Sequence, residues 1–386
     1  MKNMHGVVAI TGIGELKPER HTYGVNTMDL LLKVSSEAVK DAGLEPSDID
    51  GLLVGPQVGE TPQHVPATVA EYFGMVPSMA NVVDLGGASG PGMIWRAAAA
   101  IEVGMCEAVL CVLGNHRNET ISRSPNRNPI REFDVPFGAS GANLSYALLM
   151  QAHMDKYKCK PEDYAFIASE SRSNAQLNPD AIFYGKPATV DEVLDSPLIS
   201  TPLHLLEIVM PVAGGDAVVV ASGKFFDRCP HKPINIFGAG ECITHRAVSQ
   251  APSLTSGPLK PAIARALEQS SLDIESIDFL SFYDCYTIMV ATTIEDSGLC
   301  GPGEFGKWLK ENGGMGLKSR QPINTHGGQL GFGQPDLAGG MTHVVEAVRQ
   351  LRGSAPNRQI QNCRSSLVTG NGATMSEAVA LVLGVE

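Results

Sequence analysis

The stretch Ala38-Val39-Lys40-Asp41-Ala42-Gly43-Leu44-Glu45-Pro46-Ser47-Asp48-Ile49-Asp50-Gly51-Leu52-Leu53-Val54 has a loose second copy later in the chain. It reads Ala266-Leu267-Glu268-Gln269-Ser270-Ser271-Leu272-Asp273-Ile274-Glu275-Ser276-Ile277-Asp278-Phe279-Leu280-Ser281-Phe282. Each copy reads as an amphipathic helix, a turn, a short acidic step holding an Ile-Asp pair, and a buried strand. A second pair of segments follows in the same order. Asp216-Ala217-Val218-Val219-Val220-Ala221-Ser222-Gly223 matches Glu377-Ala378-Val379-Ala380-Leu381-Val382-Leu383-Gly384. One match between amphipathic elements arises easily by chance, but two in order point to a repeated α/β unit.

The spacing between these markers differs by about 67 residues, the first half being the longer. The surplus is placed at about 116–208, where the chain turns polar and Pro-rich (Arg123-Ser124-Pro125-Asn126-Arg127-Asn128-Pro129) and then helical over 145–156 and 161–175. The expected division is therefore 1–225 and 226–386, with the insertion inside the first half. Apolar strands are expected at Ala108 to Leu113 and Ile234 to Phe237. A first strand from Val7 is expected to end at Gly12 and Gly14. Pro91 to Val103 carries Ala97-Ala98-Ala99-Ala100 and only two charges, as a helix buried between sheets would.

At 386 residues, 43% hydrophobic and 18% charged, the chain has the balance of a globular protein large enough to bury a cleft. A formal charge of −12 and no basic stripe argue against nucleic acid as a partner. The eight cysteines form no CxxC pair, so a zinc site is not expected, and several sit in apolar runs as reduced core thiols. No apolar run reaches the roughly 18 residues of a membrane span, and the N-terminus lacks the pattern of a signal peptide. No membrane association and a cytoplasmic location are the expectation.

Four further segments carry chemistry: Gly86-Gly87-Ala88-Ser89-Gly90, Phe282-Tyr283-Asp284-Cys285-Tyr286-Thr287, Asn324-Thr325-His326-Gly327-Gly328 and Thr369-Gly370-Asn371-Gly372. In this order, and with Ser171-Arg172-Ser173-Asn174-Ala175-Gln176-Leu177-Asn178-Pro179 and Ile294-Glu295-Asp296-Ser297-Gly298-Leu299-Cys300, the chain resembles the thiolase superfamily over nearly its whole length. The likeness is closest to sterol-carrier-protein-type thiolases and thiolase-like lipid-transfer proteins. It implies two repeated halves in a five-layered α-β-α-β-α core, with the insertion as a loop domain.

The resemblance also shows what is missing. Gly87 stands in the place of the nucleophilic cysteine, Gln334 in Gly333-Gln334-Pro335 replaces the activating histidine, and Tyr283 replaces the histidine of a His-Asp-Cys-Phe motif. The last cysteine falls at Val368 or Thr369. Thiolysis needs a thiolate and a base to make it; glycine forms no thioester and glutamine does not titrate, so covalent chemistry at this position is excluded. Oxyanion donors at Gly87 and Gly370 remain, and an enolate-stabilising pocket without a nucleophile suits retro-aldol cleavage of a bulky, steroid-side-chain-like β-hydroxyacyl-CoA.

By the same resemblance Tyr283 is the expected acid/base; a free tyrosine titrates at about 10, and a neighbouring oxyanion hole or partner group is expected to lower that. His326 is expected at the border of the site, Gln334 against the substrate or a water, and Cys285 as an alternative nucleophile. Arg117, Arg123, Arg127 and Arg131 are implied near the CoA phosphates. Coenzyme A enters as part of the substrate, with no bound cofactor or metal expected. A homodimer and a small OB-fold, zinc-ribbon partner protein are implied. Two other readings stay open: an acyltransferase or condensing enzyme with a non-standard site, and a non-catalytic binding subunit.

Overall fold

The computed structural model describes residues 7–22, 24–56, 64–117, 136 and 141–385. The chain begins β1 (Val8–Glu15), α1 (Thr27–Asp41), β2 (Gly51–Val54), α2 (Val65–Phe73), β3 (Met79–Val82), α3 (Ser89–Glu102) and β4 (Ala108–Asn115). Then come α4 (Gly141–Tyr157), α5 (Pro161–Ala175), α6 (Val190–Leu194), the hairpin β5 (Leu198–Ser200) and β6 (Leu203–His204), and β7 (Gly214–Ser222). The remainder is β8 (Ile234–Ile243), α7 (Leu259–Ser270), β9 (Phe279–Ser281), α8 (Thr287–Asp296), α9 (Phe305–Asn312), α10 (Gly328–Phe332), α11 (Gly339–Arg352), β10 (Ser365–Gly372) and β11 (Glu377–Gly384).

Nine strands follow the order β3-β2-β4-β7-β1-β8-β11-β10-β9. The two halves of this sheet meet at β1 and β8, where Ala9 pairs with Asn235 and Ile10 with Ile234. On one side, β2 runs parallel to β4 while β7 and β1 follow antiparallel. On the other, β9 runs parallel to β10 while β11 and β8 follow antiparallel. The same order is thus built twice. The repeated Ile-Asp step has one job in both copies: Asp50 accepts from the backbone N–H of Glu107 and Ala108 at the start of β4, and Asp278 from Arg364 and Ser365 at the start of β10.

One expectation needs correction. Gly12 and Gly14 do not end β1; they lie inside it. A Cβ at either would collide with the backbone of α1, at Ala38 and Val34, and Gly238 and Gly240 in β8 meet α7 at Ala266 and Ala262 in the same way. These glycines let a helix approach a strand closely.

Strand alternation sorts the core into layers. Ala217, Val219 and Ala221 of β7 join Leu31, Val34 and Val69 of α1 and α2 on one outer face. Val218 and Val220 face the middle, where α3 and α11 (Met93, Ile94, Ala97, Val344, Val348) lie against β10 and β11 as well. Leu367, Ala380 and Val382 face outward again, towards Ile263 of α7 and Met289 of α8. The order is helix, sheet, helix, sheet, helix, as the sequence resemblance implied. Among the described residues, no helix is long and apolar enough to cross a membrane.

Candidate active site

The turn Gly86-Gly87-Ala88 leads into α3, and Ser89 closes it by accepting the Leu85 backbone N–H through Oγ at 2.9 Å. The Gly87 carbonyl presses on Gly340 at the start of α11, where any Cβ would overlap it. Both central helices, of 14 residues each, therefore begin close to Gly87, α3 at Ser89 and α11 at Gly339. Their N-terminal dipoles converge where negative charge on a substrate oxygen is best placed.

Tyr283 covers this turn. A Cβ built on Gly87 would overlap the Tyr283 hydroxyl and the ring carbon that bears it. The phenol fills the space a side chain at residue 87 would need. Gln334 Nε2 donates to Tyr283 Oη at 3.1 Å, and the Tyr283 backbone N–H is held by Thr369 Oγ1 at 3.0 Å. Gln334 is itself fixed by backbone: its N–H donates to the Met210 carbonyl, and its carbonyl accepts from Val212 N–H. The three substitutions read separately in the sequence meet at one point.

They border a cavity of about 350 Å³, within the range of small-molecule sites. Gly87, Tyr283, Cys285 and Gln334 line it, with Tyr146, Tyr286, Arg246, Asp336 and Asn371 among the others. Tyr146 stacks on Tyr286 at 4.1 Å, donates to the Ala373 carbonyl and accepts from Asn371 Nδ2. Tyr286 donates to Asn143 Oδ1 at 2.7 Å.

The electrostatics correct the expected direction of the Tyr283 pKa. Burial, then the nearby Cys285 thiol, push its hydroxyl well above the ordinary phenol value, with Asp284 and Asp336 adding to this and the Gln334 hydrogen bond opposing it. Tyr283 therefore keeps its proton at neutral pH. Burial likewise pushes the Cys285 thiol up to about 12, which leaves almost no thiolate for a displaced nucleophile.

His326 is also placed differently from the expectation. It is 2% exposed, does not line the cavity, and packs edge-on against Phe332 and His343. Burial lowers its pKa to about 3, so it stays neutral. Gly370 lies behind the turn, against Ala88, rather than in the cavity wall. Asp284 alternates away from Tyr283 and Cys285 and binds the N–H groups of Gln329 and Leu330 and the ring of His343.

Arg123, Arg127 and Arg131 lie outside the described residues. Arg117 joins Thr22 through its backbone and is not part of the cavity wall. The cation that does line it, among the described residues, is Arg246. Sequence reading missed Tyr146, Arg246 and Asp336. Only Asp336 carried a local signal, directly after Gln334-Pro335.

Residues 240–385 match the family model described as thiolase C-terminal domain-like. The steroid side-chain-cleaving aldolase of Thermomonospora curvata is 30% identical, with all of both chains covered. The 17-hydroxy-3-oxo-4-pregnene-20-carboxyl-CoA lyase of Mycobacterium tuberculosis is 28% identical over 99% of this chain and all of that one. The solved Ltp2-ChsH2(DUF35) aldolase superposes with a TM-score of 0.89 at 29% identity, covering 98% of each chain.

Proposed function

The chain belongs to the thiolase superfamily, and on that premise we propose that it is a carbon–carbon lyase cleaving a bulky β-hydroxyacyl-CoA by retro-aldol chemistry. The observation that carries this reading is the Tyr283 hydroxyl over Gly87. A thiolase needs a nucleophile there; this protein has a protonated phenol, held by Gln334, at the N-termini of two helices. Such a site holds the thioester enolate that forms as the Cα–Cβ bond breaks, and delivers a proton to its α-carbon.

Gly87 is the expected backbone donor to the enolate oxygen, with Gly370 shaping the turn from behind. Arg246, exposed and lining the cavity, has the charge to meet CoA phosphates. Steroid-derived side chains are the proposed acyl class, from the names of the two relatives. The proposed assembly is a homodimer with a small OB-fold, zinc-ribbon partner, in keeping with the DUF35 component named in the similar structure. The proposed division at residue 225/226, with a loop domain over about 116–208, fits the doubled strand order.

The test uses 17-hydroxy-3-oxo-4-pregnene-20-carboxyl-CoA with the protein and its co-expressed partner. Retro-aldol cleavage gives the 17-ketosteroid and a three-carbon acyl-CoA, both read by mass spectrometry. Transfer of the acyl group to free CoA or to the protein, without ketone release, would instead favour an acyltransferase.

A further inference from the structure

Retro-aldol cleavage needs an acceptor for the β-hydroxyl proton, and the cavity restricts what that acceptor can be. Among the described residues that line it, Asp336 is the sole carboxylate, and no histidine is present. The other titratable groups in the wall are phenols, a thiol and a guanidinium. Tyr283, Tyr146 and Tyr286 are all pushed upward by burial, as is Cys285. They hold their protons at neutral pH, which leaves Asp336, among the described residues of the wall, as the group of a type that serves as a general base.

The backbone places Asp336 with care. It follows two residues after Gln334, which binds Tyr283, and opens the short 3₁₀ turn Asp336–Ala338 that leads directly into α11. Its φ is +53°, in the left-handed region that non-glycine residues rarely adopt and that asparagine and aspartate tolerate best. Strain of this kind persists where the surroundings over-determine it, often at functional positions.

We propose that Asp336 is the general base of the cleavage, taking the proton from the substrate's β-hydroxyl while Tyr283 protonates the α-carbon. This rests on the retro-aldol reading above. The O–H bond breaks towards Asp336, its electron pair forms the ketone C=O, and the Cα–Cβ pair moves into the thioester enolate. Tyr283 then gives its proton to the α-carbon, and the proton gained by Asp336 restores Tyr283. Atoms, charge and oxidation state balance without another reactant. The charge of Asp336 also helps keep Tyr283 protonated, so acceptor and donor reinforce each other's roles.

Two substitutions test this in the assembled protein with the same steroid thioester. Asp336→Asn preserves shape and tolerance of positive φ; its kcat should fall about 10²–10⁴-fold with KM little changed. Asp336→Gly should lose as much, and added formate should restore part of its rate, while Tyr283→Phe gains nothing from formate. Wild-type turnover in Asp336→Asn, or an Asp336→Gly variant that binds substrate yet ignores formate, overturns the assignment. A wild-type protein that releases no ketone at all overturns the retro-aldol reading instead.

Discussion

The Tyr283 hydroxyl occupies the space into which a side chain on residue 87 would project. Glycine at 87 and tyrosine at 283 are therefore one compensated arrangement. A side chain at residue 87 and the phenol of Tyr283 exclude one another at the same point in space.

Gly87→Ala should be destabilising out of proportion to its size. Overpacking typically costs about 1–3 kcal/mol, and the added methyl meets the Tyr283 hydroxyl as well as the ring carbon that bears it. In a Tyr283→Ala background that penalty should largely vanish, a coupling readable from urea melts of the four proteins. Equal penalties in both backgrounds would mean that the two residues do not compete for space.

Gln334→Leu keeps the bulk of the side chain and removes the donor to Tyr283. A net hydrogen bond is worth about 0.5–1.5 kcal/mol, so kcat should fall up to about tenfold with KM little changed. A large rise in KM with intact kcat would place Gln334 on the substrate rather than on Tyr283.

Cys285 should be inert. With its thiol pushed up to about 12, the thiolate fraction at pH 8 is about 10⁻⁴. Iodoacetamide should leave cleavage intact, and intact-mass measurement after acyl-CoA incubation should find no acyl adduct. An adduct mapped to Cys285 would revive the displaced-nucleophile alternative.

His326 should make stability depend on pH. Burial lowers its pKa to about 3 in the folded protein, against about 6.5 for a free histidine. The unfolded chain thus takes up the proton first as pH falls. Stability attributable to His326 is full above about 6.5 and is lost towards pH 3, by up to about 1.4 kcal/mol per pH unit. Melting temperatures between pH 4 and 7 should drop less steeply in His326→Gln; an unchanged slope would remove His326 as the cause.

The repeat was legible because it is local. Asp50 and Asp278 each bind backbone that the next strand brings alongside, so their Ile-Asp steps survive in the sequence as a pattern. Gly87, Tyr283 and Gln334 were legible as departures from motifs, but not as neighbours, since contacts across about 50 to 200 residues leave no periodicity to read. Tyr146 reaches the cavity from α4, within the proposed insertion, and nothing in its helix marks it as a site residue. His326 misled because its turn does run near the site, while its side chain goes into the core beside Phe332.

The central claim is that the Tyr283 hydroxyl transfers a proton during cleavage, and Tyr283→Phe tests it most directly. The substitution keeps the ring over Gly87 and removes only the oxygen that Gln334 holds. Turnover, measured as ketone released from the steroid thioester with the proposed partner co-expressed, should fall about 10²–10⁴-fold with the melting temperature nearly unchanged. Ketone release at the wild-type rate from Tyr283→Phe would contradict the account.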